Sequence, residues 1–368
     1  MSQVCQSLLE APQDILPNRW ITLQEQKEWC EFLDKLNLNR PKLLWCASEW
    51  DKYRCAVNHS HAKKVHYLNC GQRGLCPRCS MSYARKRASI MYKWIKDNIA
   101  TKLDFDLKLN QIVLTLPKEL HDMDQKLFAK MIKQFMYEFG LDSYGFSIQN
   151  RHSKDPLSGK YVHAHLLSLN MRKLYGTIVK TDYFFDLDKM RKVWKGIIET
   201  NCGIIVEGKV NLHSEYASVL NEPYKVLHNF AYLYRYPIQD LFNVQARNHS
   251  LNYVQKDAIR KNVASKVCAL IDEKKPRIVW CGMLTSTKRK ELIKTMLHLQ
   301  TQTAIDGSNT ILQLDQPNFH WKSMKEVEKE IDLRSKECHD CGSPFEDKPY
   351  ERGIYQGDNE PVVMTFSN

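Results

Sequence analysis

The chain has 368 residues, of which 43% are hydrophobic and 26% are charged, a composition that suits a folded protein of two or three domains. A formal net charge of +12 and a pI near 9.0 indicate a polyanionic partner, with DNA or RNA favoured over a membrane surface. Neither an apolar run of ~20 residues nor a signal-peptide pattern is present, so we expect a cytoplasmic protein whose twelve cysteines are thiols or metal ligands rather than disulfides.

The predicted elements begin with a helical segment over residues 1–43. Thr22 and Glu25 have the spacing of a capping box, in which a hydroxyl and a carboxylate satisfy the first amides of a helix. Trp29, Phe32 and Leu33 follow as part of an apolar face. This pattern predicts a helix without indicating a function for it.

Residues 44–100 form a predicted zinc-binding segment. Its centre is C-G-Q-R-G-L-C-P-R-C, which contains Cys70, Cys76 and Cys79. A Cys-Pro-x-Cys turn lets two thiolates converge on one ion, and structural Zn²⁺ takes four ligands in a tetrahedral array. We expect Cys55 to be the fourth ligand, with three possible substitutes, namely Cys46, His59 and His61.

A basic helix is predicted directly after this turn, in S-M-S-Y-A-R-K-R-A-S-I-M-Y-K-W-I-K-D-N-I. Arg85, Lys86 and Arg87 lie on its first turns, and Ile90 and Trp94 give it an apolar face. The basic side chains either contact DNA phosphates or form the solvated face of a core helix. Arg85 and Arg87 are the DNA-binding candidates.

Residues 103–240 alternate between strand and helix patterns. The order strand, helix, strand, strand, helix, strand, helix predicts an α+β fold with a ferredoxin-like antiparallel sheet and helices on one face. The predicted strands cover 110–117, 144–152, 161–170 and 209–216, and the predicted helices cover 125–141, 187–200 and 224–236.

Residues 241–368 form a mixed C-terminal region. We predict helices over 255–271 and 286–299, the second of them basic, and a strand over 277–282. Cys338 and Cys341 form half of a zinc site. It either stays empty or is completed by one of Cys281, His320 and His339.

The stretch Y-V-H-A-H-L-L-S-L-N contains the strongest candidate for a second type of metal site. Because side chains alternate along a strand, His163 and His165 leave the same face. Two neutral imidazoles on one strand are half of a divalent-metal site. Gln149, on the neighbouring hairpin strand, is the candidate third ligand; the alternative is an ordinary strand glutamine.

Two tyrosines lie near the end of the last predicted helix of this region. Tyr232 and Tyr236 are four residues apart, so a helix through both places their hydroxyls on one face. Aromatic residues at this spacing often belong to a core. They could also act as nucleophiles once a base or a metal-polarised phosphate assists them, and Arg235 could hold a phosphate.

Three motifs in this order resemble those of the HUH endonucleases, the superfamily of rolling-circle replication initiators and related transposases. They are the strand that ends at Thr115, the pair His163 and His165 between hydrophobic residues, and the helix with Tyr232 and Tyr236. The cysteine segment followed by an arginine-rich helix also resembles that of plasmid initiators and rolling-circle transposases. The resemblance covers roughly residues 46–240.

The resemblance implies a role for each of these side chains. His163, His165 and Gln149 would bind a catalytic Mg²⁺ or Mn²⁺, while Zn²⁺ would be structural. Tyr236, which follows a basic residue, would be the nicking tyrosine. Tyr232 stands where two-tyrosine members have their second nucleophile and single-tyrosine members have a glutamate.

The function implied is a rolling-circle replication initiator that nicks and rejoins single-stranded DNA at an origin through a 5′-phosphotyrosine. Host helicase and polymerase would be its partners, because the chain has no P-loop motif of its own. Three alternatives remain open: a rolling-circle transposase with the same chemistry, a non-catalytic zinc-containing DNA-binding protein, and a metal hydrolase that uses water.

Overall fold

The computed structural model describes most of the chain between residues 23 and 365. The described ranges are 23–38, 43, 46, 49–61, 63–103, 105–141, 143–150, 161–174, 177–180, 186–236, 242, 278–285, 322–355 and 361–365. The helices predicted over 255–271 and 286–299, and His320, lie outside them. In the described ranges no helix has the length and apolar character that crossing a membrane requires.

Helices and strands alternate along the described chain. The helices are α1 (Leu23–Lys35), α2 (Pro77–Asn98), α3 (Gln125–Glu138), α4 (Leu187–Cys202), α5 (Pro223–Leu233) and α6 (Met324–Arg334). The strands are β1 (Glu49–Tyr53), β2 (Lys64–Tyr67), β3 (Lys108–Thr115), β4 (Tyr144–Gln149), β5 (His163–Leu169), β6 (Met171–Leu174), β7 (Thr177–Lys180), β8 (Leu212–Ser218), β9 (Val279–Cys281), β10 (Glu351–Tyr355) and β11 (Pro361–Thr365). The fold is therefore a mixture of helices and strands, as predicted.

The largest sheet has five strands in the order β8-β3-β5-β4-β9. Every neighbouring pair in it is antiparallel. All seven residues of β5 are buried, because this strand lies in the middle of the sheet and has layers of structure on both faces. The predicted histidine strand is thus the centre of the sheet.

One face of this sheet is covered by α3 and α4, the two helices that connect its strands. Phe128 and Phe135 from α3 and Trp194 from α4 pack there against Ile112 and Leu166 of the sheet. The Trp194 indole N–H also donates a hydrogen bond of 3.0 Å to the Thr115 carbonyl. Burying three aromatic side chains anchors both helices, since each buried aromatic removes a large apolar area from water.

The opposite face is covered by α2 and α5. Ile95 of α2 and Phe230 of α5 share a core with Leu109, Leu167 and Leu169 of the sheet. Helices therefore lie on both faces, whereas the sequence predicted helices on one face. The difference arises because α2, which belongs to the cysteine segment, packs on the sheet together with α5.

A second sheet joins two distant parts of the chain. Its four strands have the order β11-β10-β1-β2 and are antiparallel. Lys52 of β1 pairs with Glu351 of β10 at 2.8 Å, and Asp51 binds the Arg352 guanidinium. A smaller two-stranded sheet consists of β6 and β7.

Candidate functional site

The two histidines of β5 lie side by side and are almost fully buried. His163 is 5% exposed and His165 is 6% exposed, and their rings are 4.8 Å apart between centroids. Both leave the face of β5 that also presents Leu167 and Leu169 to α2 and α5. The alternation of side chains along β5 thus puts both histidines on one face of the sheet, as predicted.

The nitrogen atoms that face each other are the Nε2 atoms, which lie 3.0 Å apart. His163 Nδ1 lies 3.1 Å from the Tyr161 carbonyl. A carbonyl oxygen only accepts, so Nδ1 of His163 carries the proton, and in the neutral ring Nε2 then has a lone pair. Two ligands about 2.1 Å from one octahedral ion are about 3.0 Å apart, so the spacing suits a shared ion as well as a hydrogen bond between the rings.

Gln149 and Ser147 extend this polar row onto β4. Gln149 is directly opposite His163 in the strand register, and Ser147 is directly opposite His165. Opposite residues of an antiparallel pair share a face, so the four side chains leave the same side of the sheet. Gln149 is 5% exposed and Ser147 is 2% exposed, and the Ser147 hydroxyl has no hydrogen-bond partner among the described residues.

These residues could hold a divalent cation. Imidazole nitrogens suit transition-metal ions, and a carboxamide oxygen suits Mg²⁺ and Mn²⁺. A buried hydroxyl without a partner costs free energy, and a water on such a cation would supply the partner that Ser147 lacks. The set contains no carboxylate, so its own charge is zero when the imidazoles are neutral.

Tyr232 of α5 is the tyrosine that lies at the histidines. Its ring centroid is 4.6 Å from that of His165. The Arg235 guanidinium lies over the Tyr232 ring at 5.0 Å, and Arg235 is itself 7% exposed. A phenol therefore lies next to the imidazole pair, and a guanidinium lies over that phenol. A phenol can attack a phosphate and a guanidinium can hold one.

Tyr236 lies elsewhere, and the expected shared helix face is wrong. Because α5 ends at Leu233, Tyr236 is outside the helix and the i,i+4 geometry does not apply. Tyr236 packs edge-on against Tyr83 at 5.7 Å between ring centroids and belongs to the core that includes Cys76 and Cys79. Burial raises the pKa of the Tyr236 phenol.

Four cysteines form a compact cluster between α1 and the start of α2. They are Cys46, Cys70, Cys76 and Cys79, whose sulfur atoms all lie within 4.8 Å of one another. The shorter Sγ–Sγ distances are 3.4 Å for Cys46 and Cys76, 3.5 Å for Cys70 and Cys79, and 3.6 Å for Cys46 and Cys79. A tetrahedral Zn²⁺ with bonds of about 2.3 Å sets its sulfurs about 3.8 Å apart, so this cluster could hold zinc.

The local backbone explains why the sulfurs converge. Gly71 has a φ of +73°, a conformation that glycine adopts without strain, and the Cys76 amide donates to the Gln72 carbonyl at 2.7 Å. Cys76 is the N-cap of α2, so Cys76 and Cys79 lie at the positive end of a helix dipole, which favours thiolates. The Gln26 amide of α1 contacts Cys76 Sγ at 3.7 Å.

Hydrogen bonds among these thiols shift their pKa values in opposite directions. Hydrogen bonding to Cys46 lowers the pKa of the Cys70 thiol, and the same neighbour lowers the pKa of Cys79. Hydrogen bonding to Cys46 and Cys70 raises the pKa of Cys76. Four thiolates so close together repel one another unless a cation lies between them.

The predicted fourth ligand requires a correction. Cys46, one of the possible substitutes, completes the cluster, while Cys55 lies in a second group with His61, Cys338 and Cys341. The Cys46 amide donates a hydrogen bond of 3.1 Å to the Leu43 carbonyl. The expected partners of Cys338 and Cys341, namely Cys281 and His339, are not part of either group.

The predicted DNA-binding arginines of α2 are largely engaged with the protein. Burial lowers the pKa of Arg85, and the Arg87 guanidinium lies 3.7 Å from Glu328 of α6. Lys86 pairs with Asp332 of α6 at 2.8 Å. The basic side of α2 therefore faces an acidic helix in this arrangement.

Comparisons of this chain with models of protein families, with curated proteins and with solved structures found no match. The functional assignment consequently depends on the geometry of the site and on the motif resemblance.

Proposed function

We propose that the chain is a metal-dependent DNA nickase and strand transferase of the HUH type that initiates rolling-circle replication. The observation that carries this proposal is the buried pair His163 and His165, with Nε2 atoms 3.0 Å apart, next to the ring of Tyr232 at 4.6 Å. A metal-binding pair and a tyrosine in contact are the minimum that such chemistry needs.

The sheet also supports the proposal. Strands β3, β4, β5 and β8 have the order β8-β3-β5-β4, which is the strand order of a ferredoxin-like sheet, and α3 and α4 connect strands on one face of it. That arrangement places the histidine strand centrally, where ligands from β4 and a helix can reach it.

Each side chain has a specific task in the proposed reaction. Mg²⁺ or Mn²⁺, when bound, would polarise a phosphodiester and favour in-line attack. His163, His165 and Gln149 would hold the cation, and Arg235 would hold a phosphate oxygen. The tyrosine oxygen forms the new P–O bond and loses its proton, while the 3′-oxygen leaves with the bonding electrons and takes up a proton, giving a 5′-phosphotyrosine and a 3′-hydroxyl.

Two tyrosines allow two successive cleavages. Tyr232 is at the histidines in this structure, whereas Tyr236 lies beyond the helix end and would act as the second nucleophile only after leaving its contact with Tyr83. A second attack can then proceed while the first covalent link persists. Rolling-circle copying requires such a second cleavage when the displaced strand is released and rejoined.

The tyrosines can be tested with labelled single-stranded oligonucleotides and Mn²⁺. We expect wild-type protein and Tyr137→Phe, a control at an exposed phenol of α3, to form a covalent adduct. Tyr232→Phe with Tyr236→Phe should form none, and mass spectrometry should locate the nucleotide on one of these two residues. An adduct in the double variant would disprove the proposal.

The alternative is a non-catalytic zinc-containing DNA-binding protein. The 3.0 Å distance between the Nε2 atoms of His163 and His165 favours this alternative if the two rings only share a hydrogen bond. In that case no adduct forms with wild-type protein, and DNA binding does not depend on Mn²⁺. A rolling-circle transposase would give the same adduct and differ in needing a transposon end as its substrate.

A further inference from the structure

A second cluster of metal-ligating side chains lies where the two ends of the described chain meet. Its members are Cys55 and His61, which lie between β1 and β2, and Cys338 and Cys341, which follow α6. The four ligand atoms lie within 4.8 Å of one another. Cys55 Sγ is 3.5 Å from Cys341 Sγ, and Cys338 Sγ is 3.7 Å from His61 Nδ1.

These distances fit one tetrahedral ion. Bonds of about 2.3 Å to sulfur and about 2.1 Å to nitrogen place two sulfurs about 3.8 Å apart and a sulfur and a nitrogen about 3.6 Å apart. The three cysteines are all free thiols, so a disulfide does not explain their convergence. Three thiolates and a neutral imidazole are a ligand set typical of structural zinc.

The backbone is shaped into two tight turns that face each other. In one turn, the His61 amide donates to the Asn58 carbonyl at 3.1 Å. In the other, the Gly342 amide donates to the Cys338 carbonyl at 2.8 Å, and Gly342 has a φ of +72°. A bridge between Cys55 and Phe345 holds the turns in register.

Among the described residues, few apolar side chains are buried around this cluster. Its buried members are Cys55, Cys338 and Phe345, with Tyr53 packed against them. Units with so little buried apolar area are usually held together by a metal or by disulfides. Since the thiols are free, a bound metal would add stabilisation beyond the pairing of β1 with β10.

We propose that Cys55, His61, Cys338 and Cys341 bind a second structural Zn²⁺, which fastens the segment after α6 to the β1–β2 hairpin. The site is separate from the four-cysteine cluster, and it does not depend on the proposed nickase function. Its ligands come from segments separated by up to 286 positions in the sequence, so the ion closes most of the chain into one loop.

Zinc content of the full-length protein, purified without added metal, tests the site. We expect two zinc ions per wild-type chain and one in His61→Ala or Cys341→Ser. His66→Ala, at an exposed histidine of the same hairpin, and Cys202→Ser, at a cysteine outside both clusters, should keep two. His61→Cys should also keep two, because a fourth thiolate replaces the imidazole. Wild-type zinc content in both His61→Ala and Cys341→Ser would overturn the proposal.

Thiol alkylation tests the same site in wild-type protein, where misfolding of a variant cannot interfere. Cys341 is exposed, so as a free thiol it should react rapidly with iodoacetamide. Bound to zinc, it should react at least tenfold more slowly until a strong chelator is added. Rapid alkylation of Cys341 in zinc-loaded protein, unchanged by the chelator, would rule out a bound ion.

Discussion

At the scale of single residues, the weakest part of the proposed metal site at the histidines is the candidate for its third ligand. Gln149 presents a neutral carboxamide opposite His163, whereas Mg²⁺ and Mn²⁺ bind carboxylates more strongly. Its near-complete burial, at 5% exposure, means that a substitution there changes the site directly rather than a solvent-facing surface. The residue therefore offers a change that should strengthen binding as well as one that should weaken it.

We expect Gln149→Glu to tighten Mn²⁺ binding by about tenfold and Gln149→Ala to weaken it, because charge on a ligand raises affinity for a hard cation. His163→Ala should remove most of the binding. Titration of Mn²⁺ by electron paramagnetic resonance measures all three. Gln111→Glu, on the neighbouring strand and opposite Leu167, is the control and should leave Mn²⁺ affinity unchanged. Equal affinities in wild type and His163→Ala would show that the histidines do not bind the ion.

At the scale of elements, the edge strand β9 depends on one glycine of β4. Gly145 is opposite Trp280 in the register, and a Cβ at Gly145 would collide with the Trp280 ring. The ring lies over the glycine on the face that carries the histidines, and it packs against the core formed with α2 and α5. The lack of a side chain at Gly145 thus allows the strand β9 to carry a tryptophan.

We expect Gly145→Ala to lower the free energy of unfolding by about 1–3 kcal/mol, because the ring must shift to relieve the overlap. In a Trp280→Leu background the same change should cost much less. Gly196→Ala is the matched control, since a Cβ there meets open space in the interior of α4, and it should be stabilising by about 0.5–1 kcal/mol. Urea unfolding followed by circular dichroism measures each value; equal costs of Gly145→Ala in both backgrounds would contradict the proposed collision.

Elements with a clear side-chain periodicity could be predicted from the sequence. The elements and residues that they contact could be predicted less well. The apolar spacing in α3 and the alternation in β5 are local, so the sequence predicted both, with a boundary error of three residues for α3. The end of α5 was predicted at Tyr236 because Pro237 follows, yet the helix ends at Leu233. That local difference decides which tyrosine meets His165.

The cysteine partners show why the rest could not be predicted. A thiol in a sequence carries no mark of its partner, so the sequence favoured Cys55 as the fourth ligand although Cys46 completes the first cluster. One signal was available: Cys55 and His61 have the same spacing as Cys70 and Cys76. That spacing indicates that Cys55 and His61 form half of a second metal site. Cys338 and Cys341 form the other half.

At the scale of the whole molecule, an acidic helix near the end of the chain covers a basic helix near its start. Glu328 and Asp332 of α6 contact Lys86 and Arg87 of α2 at distances from 2.8 to 3.7 Å. The formal net charge of the chain is +12, which favours binding to nucleic acid. The acidic side chains of α6 pair with basic side chains of α2, so these basic groups are less available to phosphates.

We expect Glu328→Gln with Asp332→Asn to raise the affinity for single-stranded DNA several-fold at low salt and to steepen its salt dependence, because Lys86 and Arg87 become available to phosphates. Stability should change by less than about 1 kcal/mol, since exposed ion pairs contribute little. Fluorescence anisotropy over a range of salt concentrations measures the effect.

The matched control for this experiment is Glu138→Gln with Glu207→Gln, two exposed carboxylates outside α6 that change the net charge equally. If the control raises the affinity as much as the α6 variant, the effect comes from overall charge, and α6 has no special role in covering α2.

The pairing of β1 with β10 also has a consequence for synthesis on the ribosome. Cys55 and His61 emerge long before Cys341, which follows Cys55 by 286 positions. At about 5–20 residues per second, this interval is about 15–60 s. During it the β1 edge that β10 will cover has no partner from this sheet, and unpaired strand edges promote aggregation. Nascent chains should therefore depend on chaperones or on early β1–β2 pairing until the last strands are made.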